Sequence, residues 1–170
     1  MMMEVRNKKT QYAPYKKIGD EQVVVMWDFK PITKTNAKGE VKNTPLAVWQ
    51  EERFDHIPTL DEIKNVIKGY YNKITDQKIL SGFVWNGMKI WLSTENQFNY
   101  KAAYDLAVQT NGANLPIVFK FGDDNETVYH EFKDLNEMSE FYMASIAYIQ
   151  NTLAEGWQKK DSIDWTFYTI

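Results

Sequence analysis

Apolar positions near the start of the chain follow the pattern of β-strands. Residues 23–29 form a β-branched and aromatic run that Pro31 ends, and a second run of this kind covers residues 46–54. Such runs, bounded by turn-forming residues, are typical of strands. A polar connection from Thr33 to Thr44 separates them, and we expect the two strands to pair antiparallel around this long loop.

The next apolar residues recur at the spacing of a helix. Thr59 and Glu62 have the spacing of a capping box, in which each side chain bonds the backbone N–H of the other residue. This pattern predicts a helix of about 16 residues. Its apolar stripe consists of Leu60, Ile63, Ile67, Tyr70 and Ile74.

The clearest local signal is a hairpin around Asn86-Gly87. Apolar runs at 79–85 and 88–92 flank this pair. Asn-Gly supplies the two positive-φ residues that a type I′ turn needs. Because apolar residues occupy both faces of the hairpin, we expect it to be covered on both sides.

A second helix and a third hairpin follow. Ser93 or Thr94 suits the first cap, and Asn111-Gly112 is expected to end the helix. Its stripe consists of Tyr100, Ala103, Tyr104, Ala107 and Val108. Strands are then predicted at 117–121 and 127–132, around a turn at 122–125.

A long last helix is predicted from the cap at Asp134. Gly156 is expected to stop it, since glycine is common just after a helix. The segment from Trp157 to Ile170 keeps several rings, and we expect it to pack on its own domain or on a neighbour. Its apolar stripe consists of Leu135, Met138, Tyr142, Ile146, Ile149 and Leu153.

Together these elements predict an α+β protein of three β-hairpin–helix units. Tight turns favour an antiparallel sheet, with the helices packed on one face. We expect an N-terminal arm over 1–20, loose unless something ties it down, and a hairpin-plus-helix subdomain over 21–76. An α+β domain is predicted over 77–157, and an aromatic C-terminal segment over 158–170.

Composition excludes several classes of function. The 170 residues include no cysteine, so a disulfide framework and a thiolate nucleophile are excluded. The net charge of −3 gives no support to bulk binding of nucleic acid, and no nucleic-acid partner is expected. No apolar window reaches the length of a membrane span, and no signal peptide is expected at the N-terminus.

The candidate catalytic residues form no recognised motif. His56 and His130 are the two histidines, and each is expected to be a packed or surface residue. The carboxylates Glu51, Glu52 and Asp55, near Trp49 and Phe54, suit acid–base work on a sugar, but they equally suit an edge strand with solvated charges. We therefore assign no catalytic residue.

Two binding hypotheses stay weak at this stage. The turn Gly122-Asp123-Asp124-Asn125-Glu126 has oxygen ligands for calcium, but the same residues are ordinary turn formers. The rings of Phe83, Trp85 and Trp91 could stack on bases, yet Lys89 is the only cation of that hairpin. No metal ligand and no cofactor is assigned.

Residues 82–99 resemble a known domain. The stretches Gly82-Phe83-Val84-Trp85-Asn86-Gly87 and Trp91-Leu92-Ser93-Thr94-Glu95-Asn96-Gln97-Phe98-Asn99 are similar to an uncharacterised domain of bacteriophage tail and tail-fibre proteins. The resemblance covers about residues 79–160, and the run from Lys101 to Ala107 is similar to proteins of phages and prophages of gut Bacteroidales. That domain has no established catalytic residues.

The resemblance implies a non-enzymatic structural component of a tailed-phage virion, made in the bacterial host cytoplasm and built into the tail as a fibre, adaptor or baseplate protein. Its expected partners are other virion proteins, in a homo-oligomer or symmetric assembly. Core packing is an equally good explanation for the five rings that we expect as interface anchors, which are Trp49, Trp157, Trp165, Phe167 and Tyr168.

Two alternatives remain open. Exposed aromatic rings also suit a carbohydrate- or ligand-binding module, or a small enzyme. A chaperone of fibre assembly would share the expected contacts but would be absent from the finished particle. The position of the rings, in a concave pocket or at flat contacts, distinguishes the binding module from the assembly protein.

Overall fold

The computed structural model describes residues 2–122 and 125–169, and it confirms the α+β class. The helices are α1 (Leu60–Ser81), α2 (Thr94–Gln109) and α3 (Leu135–Asp161), with 3-10 turns at Lys9–Gln11 and Trp165–Tyr168. The strands are β1 (Met3–Lys8), β2 (Tyr15–Ile18), β3 (Gln22–Thr35), β4 (Val41–Phe54), β5 (Phe83–Trp85), β6 (Met88–Ile90), β7 (Ile117–Gly122) and β8 (Thr127–Phe132).

The strands are antiparallel and belong to three sheets. Four of them form a sheet in the order β1-β4-β3-β2, while β5–β6 and β7–β8 are separate two-stranded sheets. The chain divides into two compact units. Unit 1 runs up to Tyr70 and includes the segment from Ile163 onward, and unit 2 is Tyr71–Ser162.

Unit 1 is built around the four-stranded sheet. Alternate residues of β3 point to opposite faces, so Val23, Val25 and Trp27 share one face. The first half of α1 packs on this face, where the rings of Trp27 and Tyr70 lie 5.8 Å apart. On the other face, Trp49 packs with the ring of Tyr12 at 5.9 Å. The sheet of unit 1 is therefore covered on both faces at its centre.

The core of unit 2 is a cluster of aromatic rings around Phe141 of α3. This side chain is fully buried, and it joins rings from two hairpins and from α2. Its ring centroid lies between 5.1 and 6.4 Å from five other rings, those of Phe83, Trp85, Tyr100, Phe121 and Phe132.

Two strands, β1 and β2, join the expected loose N-terminal arm to the sheet. β1 pairs with residues 46–51 of β4, and β2 pairs with residues 22–25 of β3. The polar sequence suits these edge positions, because lysine on an edge strand discourages pairing with other chains. The arm was expected from polarity alone, which does not separate an edge strand from a loose end.

The polar connection from Thr33 to Thr44 is also mostly strand. The two long strands pair out to Thr35 and Val41, and only the residues between them form the turn. β3 passes through Pro31 at an irregularity in the register, where a missing backbone N–H is tolerated. The expectation that Pro31 ends the strand was therefore wrong.

Two helices run further than predicted. α1 continues to Ser81, and the next strand begins only at Phe83, because a short apolar stretch such as Ile79-Leu80 suits a helix as well as a strand. α3 continues through Gly156 to Asp161. An ideal Cβ at Gly156 would lie 2.4 Å from Oγ1 of Thr75, so this glycine permits close helix packing and does not end the helix.

The hairpin at Asn86-Gly87 forms as predicted, with positive φ at both residues (48° and 77°). The expectation that it is covered on both faces was wrong. Phe83 and Ile90 are buried, whereas Val84 on the other face is exposed. The sequence alone does not distinguish an outward-facing apolar side chain such as Val84 from a second buried face of the hairpin.

Candidate functional site

An open, mainly apolar groove lies between α2 and β7 on the surface of unit 2. We name it the α2–β7 groove; its volume is about 500 Å³, and it is widely open to solvent. Its lining residues are Asn96, Asn99, Tyr100, Ala102, Ala103, Leu106, Ile117, Phe119 and Lys120.

Local sequence positions the helix wall of the groove. The Ser93 hydroxyl accepts a hydrogen bond from the Asn96 backbone N–H at 3.2 Å and so fixes the start of α2. From there Asn96, Asn99, Ala103 and Leu106 repeat at the three- and four-residue spacing that places side chains on one helix face. Small residues at 102 and 103 leave the space that the groove occupies.

The floor of the groove is apolar and consists of packed aromatic rings. The ring of Tyr100 is buried and meets Phe119 edge-on at 5.0 Å and Phe141 at 5.1 Å. Burial raises the pKa of the Tyr100 phenol to about 12, so it remains neutral at ordinary pH. The floor thus offers a fixed hydrophobic shape and no charge.

An exposed apolar row borders the groove. Phe98, Ala102 and Leu106 follow each other at four-residue spacing on α2, and Phe98 and Leu106 are 70% and 48% exposed. Large apolar side chains exposed together in this way mark sites of association on protein surfaces. A partner surface with a complementary ridge would bury both the row and the groove.

The five ring residues expected as interface anchors differ in their exposure to solvent. Trp157 and Phe167 are exposed (56% and 61%), whereas Trp49 and Tyr168 are buried (2% and 7%). Trp165 is half-buried, and Lys68 lies over its ring at 5.8 Å. Whether Trp157, Trp165 and Phe167 contact a partner stays a prediction.

The structure corrects the expectation for Trp49 and Tyr168. The Tyr168 hydroxyl donates to the Met26 carbonyl at 3.0 Å, which places the ring against the sheet. Trp49 packs in the core beside Tyr12. Both rings belong to the interior of unit 1, because burying large rings is how a small unit builds its core.

The two histidines occupy different settings. His130 Nε2 lies 2.9 Å from Oε1 of Glu137, and the His130 ring packs edge-on against Trp85 at 5.2 Å. This arrangement is a packed histidine with a polar tip, as the sequence predicts. His56 is exposed between the carboxylates of Asp55 and Glu62, at 2.9 and 3.1 Å, and these hydrogen bonds raise its pKa.

The candidate carboxylates lie on both faces of the sheet. Glu51 and Asp55 line an open groove of about 580 Å³ together with Arg53, while Glu52 alternates to the opposite face. The hydrogen bond from His56 lowers the pKa of Asp55. A general acid needs a raised pKa, so Asp55 does not have the property that a glycosidase acid requires.

Sequence reasoning did not identify four apolar residues in or beside the groove, which are Phe98, Leu106, Ile117 and Phe119. A signal for the first two was present, since Phe98, Ala102 and Leu106 form a second apolar row beside the predicted stripe of α2. No pattern in the sequence alone indicates that β7 lies across from this row.

Within residues 2–122 and 125–169, no group of three His, Asp or Glu side chains is arranged to hold a metal ion. The calcium hypothesis rests on Asp123 and Asp124, which lie outside the described residues. None of the helices in the described part of the chain is long and apolar enough to cross a membrane.

Comparison with known families gives one match. A family model described as a domain of unknown function, DUF4376, matches residues 62–169. This range holds all of unit 2 and most of α1, and the strands β1 to β4 precede it. No curated protein and no solved structure matches the chain.

Proposed function

We propose that this chain, which belongs to the DUF4376 family, is a non-enzymatic structural component of a tailed-phage virion. It would be built into the tail as a fibre, adaptor or baseplate protein and would act by binding other virion proteins. Synthesis in the cytoplasm of the bacterial host and assembly into the tail follow from this proposal.

One feature of the sequence and one feature of the structure support the phage assignment. The stretch that resembles phage tail and tail-fibre proteins, about 79–160, lies inside the family match at 62–169. The same stretch forms one compact unit with its own aromatic core. The part of the chain that resembles tail proteins therefore makes up most of unit 2.

The α2–β7 groove is the observation that carries the assembly mechanism. It joins an apolar floor to an exposed apolar row, and its polar lining consists of Asn96, Asn99 and the cation Lys120. Asn96 already donates through Nδ2 to the Trp91 carbonyl at 2.8 Å, so part of this polarity is internally satisfied. Contact with another apolar surface removes such a surface from water, which makes the free energy of association more favourable.

Composition of purified particles tests the proposal. The protein should be found by quantitative mass spectrometry in particles made by the phage or prophage that encodes it, in a fixed ratio to known tail proteins. Its absence from finished particles would contradict the proposal. Recovery with unfinished tails alone would favour the assembly chaperone, and tight binding to a glycan array by the isolated protein would favour the carbohydrate-binding module.

A pair of variants tests the mechanism. Leu106→Lys places a charge in the groove, and Met143→Lys places the same charge at another exposed apolar position of unit 2, on α3. Both variants should fold, because both positions are already open to solvent. We expect Leu106→Lys to be lost from particles and Met143→Lys to be retained; equal retention would contradict a role for the groove.

A further inference from the structure

The β3–β4 hairpin extends beyond the strands that flank it. β1 pairs with β4 only from Leu46 to Glu51, and β2 pairs with β3 only up to Val25. Farther out, residues 33–35 pair only with residues 41–43. We name residues 30–46 the β-ribbon. Most of its side chains are exposed, so it presents a two-stranded projection with little core of its own.

The β-ribbon places like charges opposite each other. Lys34 and Lys42 are direct cross-strand partners. Like charges in this position destabilise a strand pair, so the arrangement is unfavourable in the isolated chain. In the part of the chain that the structure describes, neither these two lysines nor Lys38 at the turn has an ion pair. An anion bound between them would remove the repulsion.

The positive charge continues onto the adjoining edge of the sheet. Arg6 lies opposite Val48, and Val48 lies opposite Lys30, so both cations project from the same face. Lys8 lies two residues from Arg6 on that face as well. Lys30 already pairs with Asp28 at 2.6 Å, which leaves Arg6 and Lys8 to extend the basic surface of the β-ribbon.

The basic residues are unevenly distributed along the chain. Residues 1–50 contain nine Lys and Arg and five Asp and Glu, although the whole chain has a net charge of −3. The expectation of no nucleic-acid partner rested on that overall value. A local basic surface of this kind is what attraction to phosphates requires.

The chemistry of the β-ribbon favours phosphate over an acidic protein. Its 17 residues, read from the sequence, contain no aromatic residue and no arginine, the types that usually anchor protein interfaces. They do contain Lys, Thr and Asn, which commonly contact the phosphates of nucleic acids. A two-stranded ribbon also has the width that the major groove of duplex DNA admits.

We infer that the β-ribbon, together with Arg6 and Lys8, binds the phosphate backbone of duplex DNA without sequence preference. This inference rests on unit 1 and does not depend on the proposed role of the α2–β7 groove. With about three to five phosphate contacts, the logarithm of the binding constant should fall with the logarithm of salt concentration at a slope of about −2.7 to −4.5.

Fluorescence anisotropy of the full chain with a short labelled duplex of mixed sequence tests the inference. We expect a Kd of about 10⁻⁶ to 10⁻⁴ M at physiological salt. The triple variant Lys34→Gln, Lys38→Gln and Lys42→Gln should bind on the order of tenfold or more weakly, with the steepness of the salt dependence reduced by about 2 to 3.

A matched control carries the same change in charge elsewhere. It replaces the exposed lysines Lys73, Lys133 and Lys159 of unit 2 by glutamine, and it should bind the duplex as the parent chain does. Circular dichroism establishes that both triple variants fold. The inference is overturned if the parent chain fails to bind the duplex, or if both triple variants lose the same affinity. It is also overturned if the parent chain binds polyglutamate as tightly as it binds the duplex.

Discussion

Replacing Gly156 by alanine should destabilise unit 2, although alanine favours helix. The second half of α1 and the second half of α3 pack closely at this position. An ideal Cβ at 156 would lie 2.4 Å from Oγ1 and 3.1 Å from Cγ2 of Thr75. Thr75 cannot turn freely, because its hydroxyl donates to the Tyr71 carbonyl at 2.9 Å. The new methyl group must therefore push the two helices apart or break this hydrogen bond.

The magnitude follows from three opposing contributions. Alanine in place of glycine stabilises a helix interior by about 1 kcal/mol. Overpacking of a close contact costs about 1–3 kcal/mol. Loss of the Thr75 hydrogen bond costs about 0.5–1.5 kcal/mol more. The free energy of unfolding should therefore fall by about 0.5–3.5 kcal/mol in Gly156→Ala, as measured by urea denaturation.

Two further variants separate the steric effect from helix propensity. Gly69→Ala makes the same exchange at a helical position of α1 where an added Cβ meets no atom within 4 Å, and it should stabilise by up to about 1 kcal/mol. Gly156→Ala combined with Thr75→Ala removes both close atoms and should recover most of the loss. The reasoning is refuted if Gly156→Ala is as stabilising as Gly69→Ala, or if the double variant recovers nothing.

Three other changes test separate parts of the structure. Phe141→Ala removes the ring that joins the core of unit 2 and should lower the free energy of unfolding by about 3–5 kcal/mol, measured by urea denaturation; a loss under about 1 kcal/mol would contradict its central place. Gly87→Ala forces alanine to a φ of 77° and should cost about 1–2 kcal/mol in the same assay, whereas an unchanged midpoint would contradict the type I′ turn. Hydrogen bonds that the His56 ring donates to Asp55 and then to Glu62 raise the pKa of His56, so their contribution to stability is complete below the unfolded pKa and is lost as pH rises through the folded pKa. His56→Ala should flatten that part of the pH dependence of the urea midpoint, and an unaltered pH profile would contradict the arrangement.

Local sequence signals predicted the elements that depend on local chemistry. The Asn86-Gly87 turn, the Asp134 cap and the stripe of α3 all form, since each depends on residues within a few positions of one another. The cap at Thr59 forms too, with the Glu62 carboxylate accepting from the Thr59 backbone N–H at 2.7 Å. The α+β class followed from these elements.

Features that depend on distant residues could not be predicted in this way. Residues 1–20 look like a loose arm until β3 and β4 are present to pair with them. Gly156 looks like a helix end until Thr75 lies against it. The α2–β7 groove needs a helix face and a strand that are joined only by the tertiary fold. Periodicity describes one element at a time, so it contains no information on which surfaces meet.

Aromatic content alone does not separate rings that the fold buries from rings that stay exposed. Trp49 and Tyr168 are large rings, yet the sheet of unit 1 buries both. Leu106 is an ordinary helix residue, yet it remains exposed beside an apolar floor. Exposure in the folded chain, and not residue type, determines which apolar side chains are available to a partner.

Site-specific photocrosslinking within assembled particles tests most directly whether the chain works by assembly through the α2–β7 groove. A photoreactive amino acid is placed at Leu106 in one variant and at Met143 in the other, two exposed positions of unit 2. The account predicts that position 106 crosslinks to another protein subunit of the tail and that position 143 does so weakly or not at all. Particles that contain the protein but give no crosslink from position 106, or equal crosslinks from both positions, would contradict it.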